Sequence, residues 1–351
     1  MLENKDYKMV SIKYIDVYEN YIYALSDYIP FVFVIDAISG EVIRTIQCSF
    51  DEGFKTDLYS GICVGEGKLV VVPRDAEKLW IYDLVKSEWI DVDLKAFMNP
   101  ELSNKFVGCI VNSGTALLFG YNYNGVLALD LANNKLWDVK SNQDSQGHFI
   151  GISSVSIGEK VIIPMRFSDR ILVIDPIKKQ CDTILVDMCS SVFNNGITFD
   201  GEYYYILKNS GDRLYKISQD FSSVEILSYD EFSEIINVSF DGIVFFGGSL
   251  ILFGSDKCGF VFNIENPQKS CILEPISFVK VLNDGEVIFV LKDKIEILDE
   301  HLNVKREIGI SVYKDDMNLF FSKTRLGKGL LFESNMIGLS DYVKILNNYE
   351  N

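Results

Sequence analysis

A chain of 351 residues that carries 33 Lys or Arg against 50 Asp or Glu, for a net charge of −17, has the wrong sign for a phosphate backbone or an anionic membrane surface; both are recognised by clustered cations. Nucleic acid and membranes are therefore not expected partners. Apolar residues make up 48% of the chain, and Phe and Tyr number 24 and 18 against 7 Pro, while no apolar run approaches the roughly 18 residues of a membrane span. A single all-β domain, 1–351, with a large core is expected.

The opening Met1-Leu-Glu-Asn-Lys-Asp puts charges where a secretory leader needs an apolar stretch, so a cytoplasmic location is expected. Seven cysteines (Cys48, Cys63, Cys109, Cys181, Cys189, Cys258 and Cys271) form no Cys-x-x-Cys pair. Several fall in strand-like runs, where a reduced thiol acts as a small hydrophobe.

Taken in order, the chain repeats one plan. The first unit, 13–46, alternates four β-prone runs (13–18, 21–25, 31–36, 41–46) with turns. The first dozen residues, ahead of it, are expected to form an arm, or residues 8–12 to add a strand to the last unit and close a ring. The unit 59–94 is the clearest, with strands expected over 60–64, 68–72, 78–83 and 88–92. Units follow at 106–139, 149–186, 193–227, 237–273, 277–308 and 319–346, with no linker between them. Four short antiparallel strands per unit make the blade of a β-propeller. The third strands end at Asp36, Asp83, Asp130, Asp175, Ser218, Glu265, Asp299 and Asp341, in steps of 34 to 47 residues, against roughly 40–50 for a propeller blade. Eight blades are favoured; the 34-residue step before Asp299 leaves seven as the alternative.

A second repeat precedes the first strand: Tyr59-Ser-Gly61, Phe106-Val-Gly108, Phe149-Ile-Gly151 and Phe193-Asn-Asn-Gly196. Glycine suits a crowded centre where backbones approach closely, and the aromatic ring can wedge between blades. The polar residue that ends each third strand reads as a turn cap, its side chain bonding the backbone two residues on. Asp200-Gly201-Glu202 and Asp284-Gly285-Glu286 read as tight hairpin turns rather than paired acids. Tyr203, Tyr204 and Tyr205 alternate across a strand as core and inter-blade packing.

The run LWIYDLVKSEW, with Trp89 seven residues after Tyr82, resembles the third-to-fourth-strand signature of kelch repeats, and Gly247-Gly248 resembles their glycine doublet. The resemblance implies a kelch-like propeller and no particular activity.

Loops entering the first strands and loops between second and third strands share one face of such a ring, around the channel mouth. The second-to-third loops hold nine Lys or Arg and eight Asp or Glu, a near-neutral rim on an acidic body. Arg74, Arg166, Lys208 and Lys257 occur early in these loops and are candidates to bind an anionic or polar group such as a peptide carboxylate. His148 falls on the same face, and an imidazole titrating near neutrality makes it the one candidate for acid–base catalysis. Tyr121, Tyr123, Asn194, Asn195 and Arg166 would then position a substrate. His301 falls on the opposite side, and two separated imidazoles do not supply a metal site; no cofactor is expected. The favoured function is a binding or scaffold propeller that engages a protein or peptide through Arg74, Tyr123, His148, Arg166, Asn195 and Lys208. The alternative is a lyase or hydrolase acting on a small polar molecule or glycan in the central pocket.

Overall fold

The computed structural model describes residues 7–9, 12–26, 31–48, 58–139, 153–165, 168–186, 193–208, 213–228, 240–254, 258–266, 270–283, 285–292 and 294–313. They form seven four-stranded antiparallel sheets, each running outward in sequence order, arranged as the blades of a propeller. Blades 1 to 7 span 12–47, 59–92, 106–139, 155–185, 193–228, 242–275 and 278–308. Their innermost strands are Ile12–Tyr18, Tyr59–Gly65, Phe106–Asn112, Val155–Ile157, Phe193–Phe199, Gly242–Phe246 and Phe278–Asn283.

The second and third strands read as nearly unbroken apolar runs because they are buried on both sides. In blade 2, Leu69 and Val71 face blade 1 while Val70 and Val72 face blade 3. Among the described residues there are seven apolar clusters, one at every junction between neighbouring blades. Each fully buried aliphatic side chain in them stabilises the ring by about 1.5–3 kcal/mol.

The favoured count of eight blades is corrected to seven. The unit expected over 319–346, with Asp341, lies outside the described residues, and the ring closes without it. Ile22, Ala24 and Phe33 of blade 1 pack directly against Ile288, Ile295 and Ile297 of blade 7. Arg306 of blade 7 donates to the carbonyls of Ala37 and Ile38 of blade 1 at 2.6 and 2.7 Å. Tyr7–Met9 pairs with Ser311–Tyr313, which follows blade 7 in sequence, as a separate two-stranded sheet; the last unit, to which residues 8–12 were expected to add a strand, lies outside the described residues.

The polar ends of the third strands are turn caps, as expected. Asp36 Oδ1 accepts the amides of Ile38 and Ser39 at 2.9 and 2.7 Å, and Asp83 Oδ1 those of Val85 and Lys86 at 3.1 and 2.9 Å. In blade 6 the cap is Asn263, which ends the strand and accepts the Asn266 amide at 2.8 Å, rather than Glu265. Asp200 caps its hairpin likewise, at 2.7 Å from the amides of Glu202 and Tyr203. Tyr204 and Tyr205 enter opposite inter-blade clusters. At the three described copies of the aromatic-to-glycine repeat the inner ladder skips, at Tyr59/Gly61, Phe106/Gly108 and Phe193/Ile197; Phe149-Ile-Gly151 lies outside the described residues. A Cβ on Gly196 would lie 2.5 Å from Leu207 Cδ1 and 3.0 Å from Ile243 Cγ2, so a side chain there would make Leu207, and to a lesser extent Ile243 of the next blade, move.

Candidate functional site

We call the face that carries the second-to-third loops proximal. Arg74 opens such a loop, and its guanidinium donates to Asn104 Oδ1 at 2.6 Å in the connection between blades 2 and 3. Asn104 in turn donates its amide to Asp75 Oδ1 at 2.7 Å, and Lys105 donates its amide to the Arg74 carbonyl at 2.8 Å. Tyr123 is buried, its ring 5.5 Å from Phe106 and its hydroxyl 2.8 Å from Asp138 Oδ1. Burial and the Asp138 carboxylate both push that phenol well above its ordinary range. Asn195 lies on the innermost strand of blade 5 and Lys208 ends its second strand. His148, Arg166 and Lys257 lie outside the described residues, as do the side chains of Asn194, Asn195 and Lys208.

A second group of polar residues converges in the channel. The register defines a tier around it: the innermost-strand residue opposite the third residue of each second strand. These are Asp16, Cys63, Ile110, Val155, Thr198, Val244 and Lys280, opposite Tyr23, Val70, Leu117, Ile162, Tyr205, Ile251 and Ile288. Blades 7, 1 and 2, adjacent across the seam, thus place an ammonium, a carboxylate and a thiol side by side, while four of the tier positions elsewhere carry aliphatic side chains or a single hydroxyl.

Lys280 Nζ lies 2.8 Å from Asp16 Oδ1, and Asp16 Oδ2 accepts the Val64 amide at 2.8 Å. One carboxylate therefore ties blade 1 to both its neighbours. The Asp16 charge raises the Lys280 pKa against the opposing effect of desolvation, so the side chain is an ammonium at neutral pH. Protein surrounds Lys280, yet 38% of its side chain is accessible, against 12% for Asp16; the channel around the ammonium is open to water. Burial, and then a hydrogen bond with the Cys109 thiol, push the Cys63 thiol far above its ordinary range, which leaves it protonated and unreactive.

Beside this pair is a cavity of about 260 Å³, bounded by blades 7, 1, 2 and 3. Tyr14 and Phe278, edge to face at 6.2 Å, form one wall; Val17, Ile110 and Val111 form apolar lining, and half-buried Cys109 opens on it. Among the described residues no group of three or more His, Cys, Asp or Glu is placed to hold a metal. The available signal in the sequence was a charge inside an innermost strand, Asp16 in IKYIDVY and Lys280 in FVKVLN.

Neither a protein-family model nor a curated protein matches the chain. Solved structures match it over most of its length. Streptogramin B lyase is 12% identical, with a TM-score of 0.60 over 84% of this chain and 94% of that one. The WD40 repeats of RRP9 are 8% identical, with a TM-score of 0.59 over 82% and 91%. The Pan2 WD40 domain of Neurospora crassa is 7% identical, with a TM-score of 0.54 over 83% and 94%. The chain has the β-propeller fold. An enzyme and two WD40 rings share that fold, so it selects no activity by itself.

Proposed function

We propose that this propeller is a binding module that presents its proximal loops to a protein or peptide partner. The observation that carries the reading is the joined surface of blades 2 and 3. Arg74, Asp75, Asn104 and Lys105 are locked to one another, the Tyr121 amide donates to the Lys105 carbonyl at 2.8 Å, and Asn122 Nδ2 donates to the Ser103 carbonyl at 2.7 Å. Asn104 is held at φ +48°, in the left-handed region that asparagine tolerates. Ser103, Asn122 and Asn124 are exposed on this frame and Tyr121 is half-exposed. Tyr, Ser and Asn on fixed loops are the chemistry of adaptable protein recognition, and a surface already ordered loses little entropy on binding.

The same proposal includes a kelch-like ancestry for blade 2, where Tyr82 pairs with Trp89 with rings 4.9 Å apart, and a cytoplasmic setting in which the six described free thiols stay reduced. The test is a pull-down from native lysate with wild type beside Asn122→Arg and Tyr121→Ala. A partner captured by wild type and lost from both variants, at unchanged melting temperature, supports the reading. Capture that survives both substitutions contradicts it.

A further inference from the structure

Independently of the proximal face, we infer that the channel beside Lys280 and Asp16 is a seat for a small zwitterion, an α-amino acid with an apolar side chain. The cavity of about 260 Å³ is just below the roughly 300 Å³ at which pockets for drug-sized ligands begin, which suits a metabolite rather than a chain. Lys280 has three N–H groups, and among the described residues Asp16 is its partner. The other two donors can serve a ligand carboxylate, in charge-assisted hydrogen bonds. Asp16 accepts one bond on each oxygen, and an ionised carboxylate has about four acceptor sites. A ligand ammonium has somewhere to go.

Local charge decides the ligand class. The Lys280–Asp16 pair is formally neutral, and charges more than about 8 Å away are largely screened at physiological salt. A bare anion therefore meets no net positive site, and what attraction the rest of this acidic chain adds has the wrong sign. A zwitterion whose two charged groups share one carbon instead meets a complementary pair, positive beside negative, with each of its charges opposite its own counterion. The Tyr14 and Phe278 rings with Val17, Ile110 and Val111 offer the adjoining apolar surface for a side chain.

Cys109 reports on the seat, since its half-buried thiol lines the cavity while Cys271 is exposed elsewhere and serves as the internal control. Wild-type protein is alkylated with iodoacetamide, alone and with L-phenylalanine, phenethylamine or 3-phenylpropionate, and modification at each cysteine is read by peptide mass spectrometry. Calorimetric titration with the same three compounds gives a second readout that does not depend on thiol reactivity. The expected result is protection of Cys109 and measurable heat with phenylalanine, with the amine and the acid at least about tenfold weaker, as loss of a charge-assisted contact requires. In Lys280→Met, confirmed folded by its melting curve, both signals are expected to vanish. Equal binding of 3-phenylpropionate would make the seat a plain anion site and overturn the inference. So would silence from all three compounds in both readouts, or binding that survives Lys280→Met.

Discussion

The junctions between blades 1 and 2 and between blades 5 and 6 solve the same local problem with different chemistry. At equivalent tier positions, Asp16 Oδ2 accepts the amide of Val64 at 2.8 Å and Thr198 Oγ1 accepts the amide of Phe245 at 2.9 Å. In each case an innermost-strand N–H, buried at Val64 and part-buried at Phe245, is satisfied from the preceding blade. A hydroxyl therefore suffices for the ring. The charge on Asp16 goes with what Thr198 lacks, an ammonium from the blade on its other side, blade 7, and a cavity beside it.

The largest effect is expected from Asp16→Ala, which removes the acceptor of the Val64 amide and leaves Lys280 without its counterion. Breaking a buried pair costs about 3–5 kcal/mol; because the ammonium reaches channel water, about 2–3 kcal/mol is expected, read as a lower urea midpoint. Lys280→Met should cost less, about 1–2 kcal/mol, because Asp16 keeps the Val64 amide. Thr198→Val, with no charge involved, isolates the shared part of the comparison at about 1 kcal/mol for one unpaired amide. Should Thr198→Val prove as costly as Asp16→Ala, the charge at the seam adds nothing to the difference between the two junctions.

Strands were legible because alternation, turn chemistry and the acid or Ser ending a strand are local signals: those expected over 60–64, 68–72, 78–83 and 88–92 are observed as Tyr59–Gly65, Lys68–Pro73, Leu79–Asp83 and Glu88–Val92. Ring closure was not, because it depends on which distant blades meet. With eight blades expected, the seventh and the first are not neighbours, and Lys280 in FVKVLN and Asp16 in IKYIDVY give no reason to be considered together. The rim was drawn from basic residues in loops, yet Arg74 is engaged with Asn104, and the Tyr123 hydroxyl with Asp138. Loop composition shows which charges lie near a face, and not which of them the next blade has already taken.

Smaller effects are expected at the rim of the opposite face and should not distinguish the two junctions. Backbone amides of Ser39, Lys86 and Asn303 hold the carboxyls of Asp36, Asp83 and Asp299 below their ordinary value of 3.8, and the Ser222 and Ser218 hydroxyls bring Asp220 down to about 2. A carboxyl whose pKa is depressed by folding contributes stability that is complete above its unfolded value and is lost as the pH falls through the folded one. Wild type and Lys280→Met should therefore lose stability in parallel from about pH 4 toward pH 2. Lys280 works in the opposite direction: its raised pKa contributes below its ordinary 10.5 and is lost as the pH rises beyond that value. The Tyr123 phenol and the Cys63 thiol, also raised, give both proteins an alkaline limb; a steeper limb in wild type than in Lys280→Met, followed by circular dichroism, is the expected outcome.

The most direct test is the unfolding free energy, without ligand, of the double variant Asp16→Thr with Lys280→Met, which writes the blade 5 solution into blade 1. Replacing both members of an ion pair is far milder than removing one, and a hydroxyl can take the Val64 amide as Thr198 takes that of Phe245. The account predicts stability within about 1 kcal/mol of wild type, the pair being dispensable to the ring and kept for what the channel holds. A loss as large as that of Asp16→Ala would contradict it and make the charges a structural fastening of the seam.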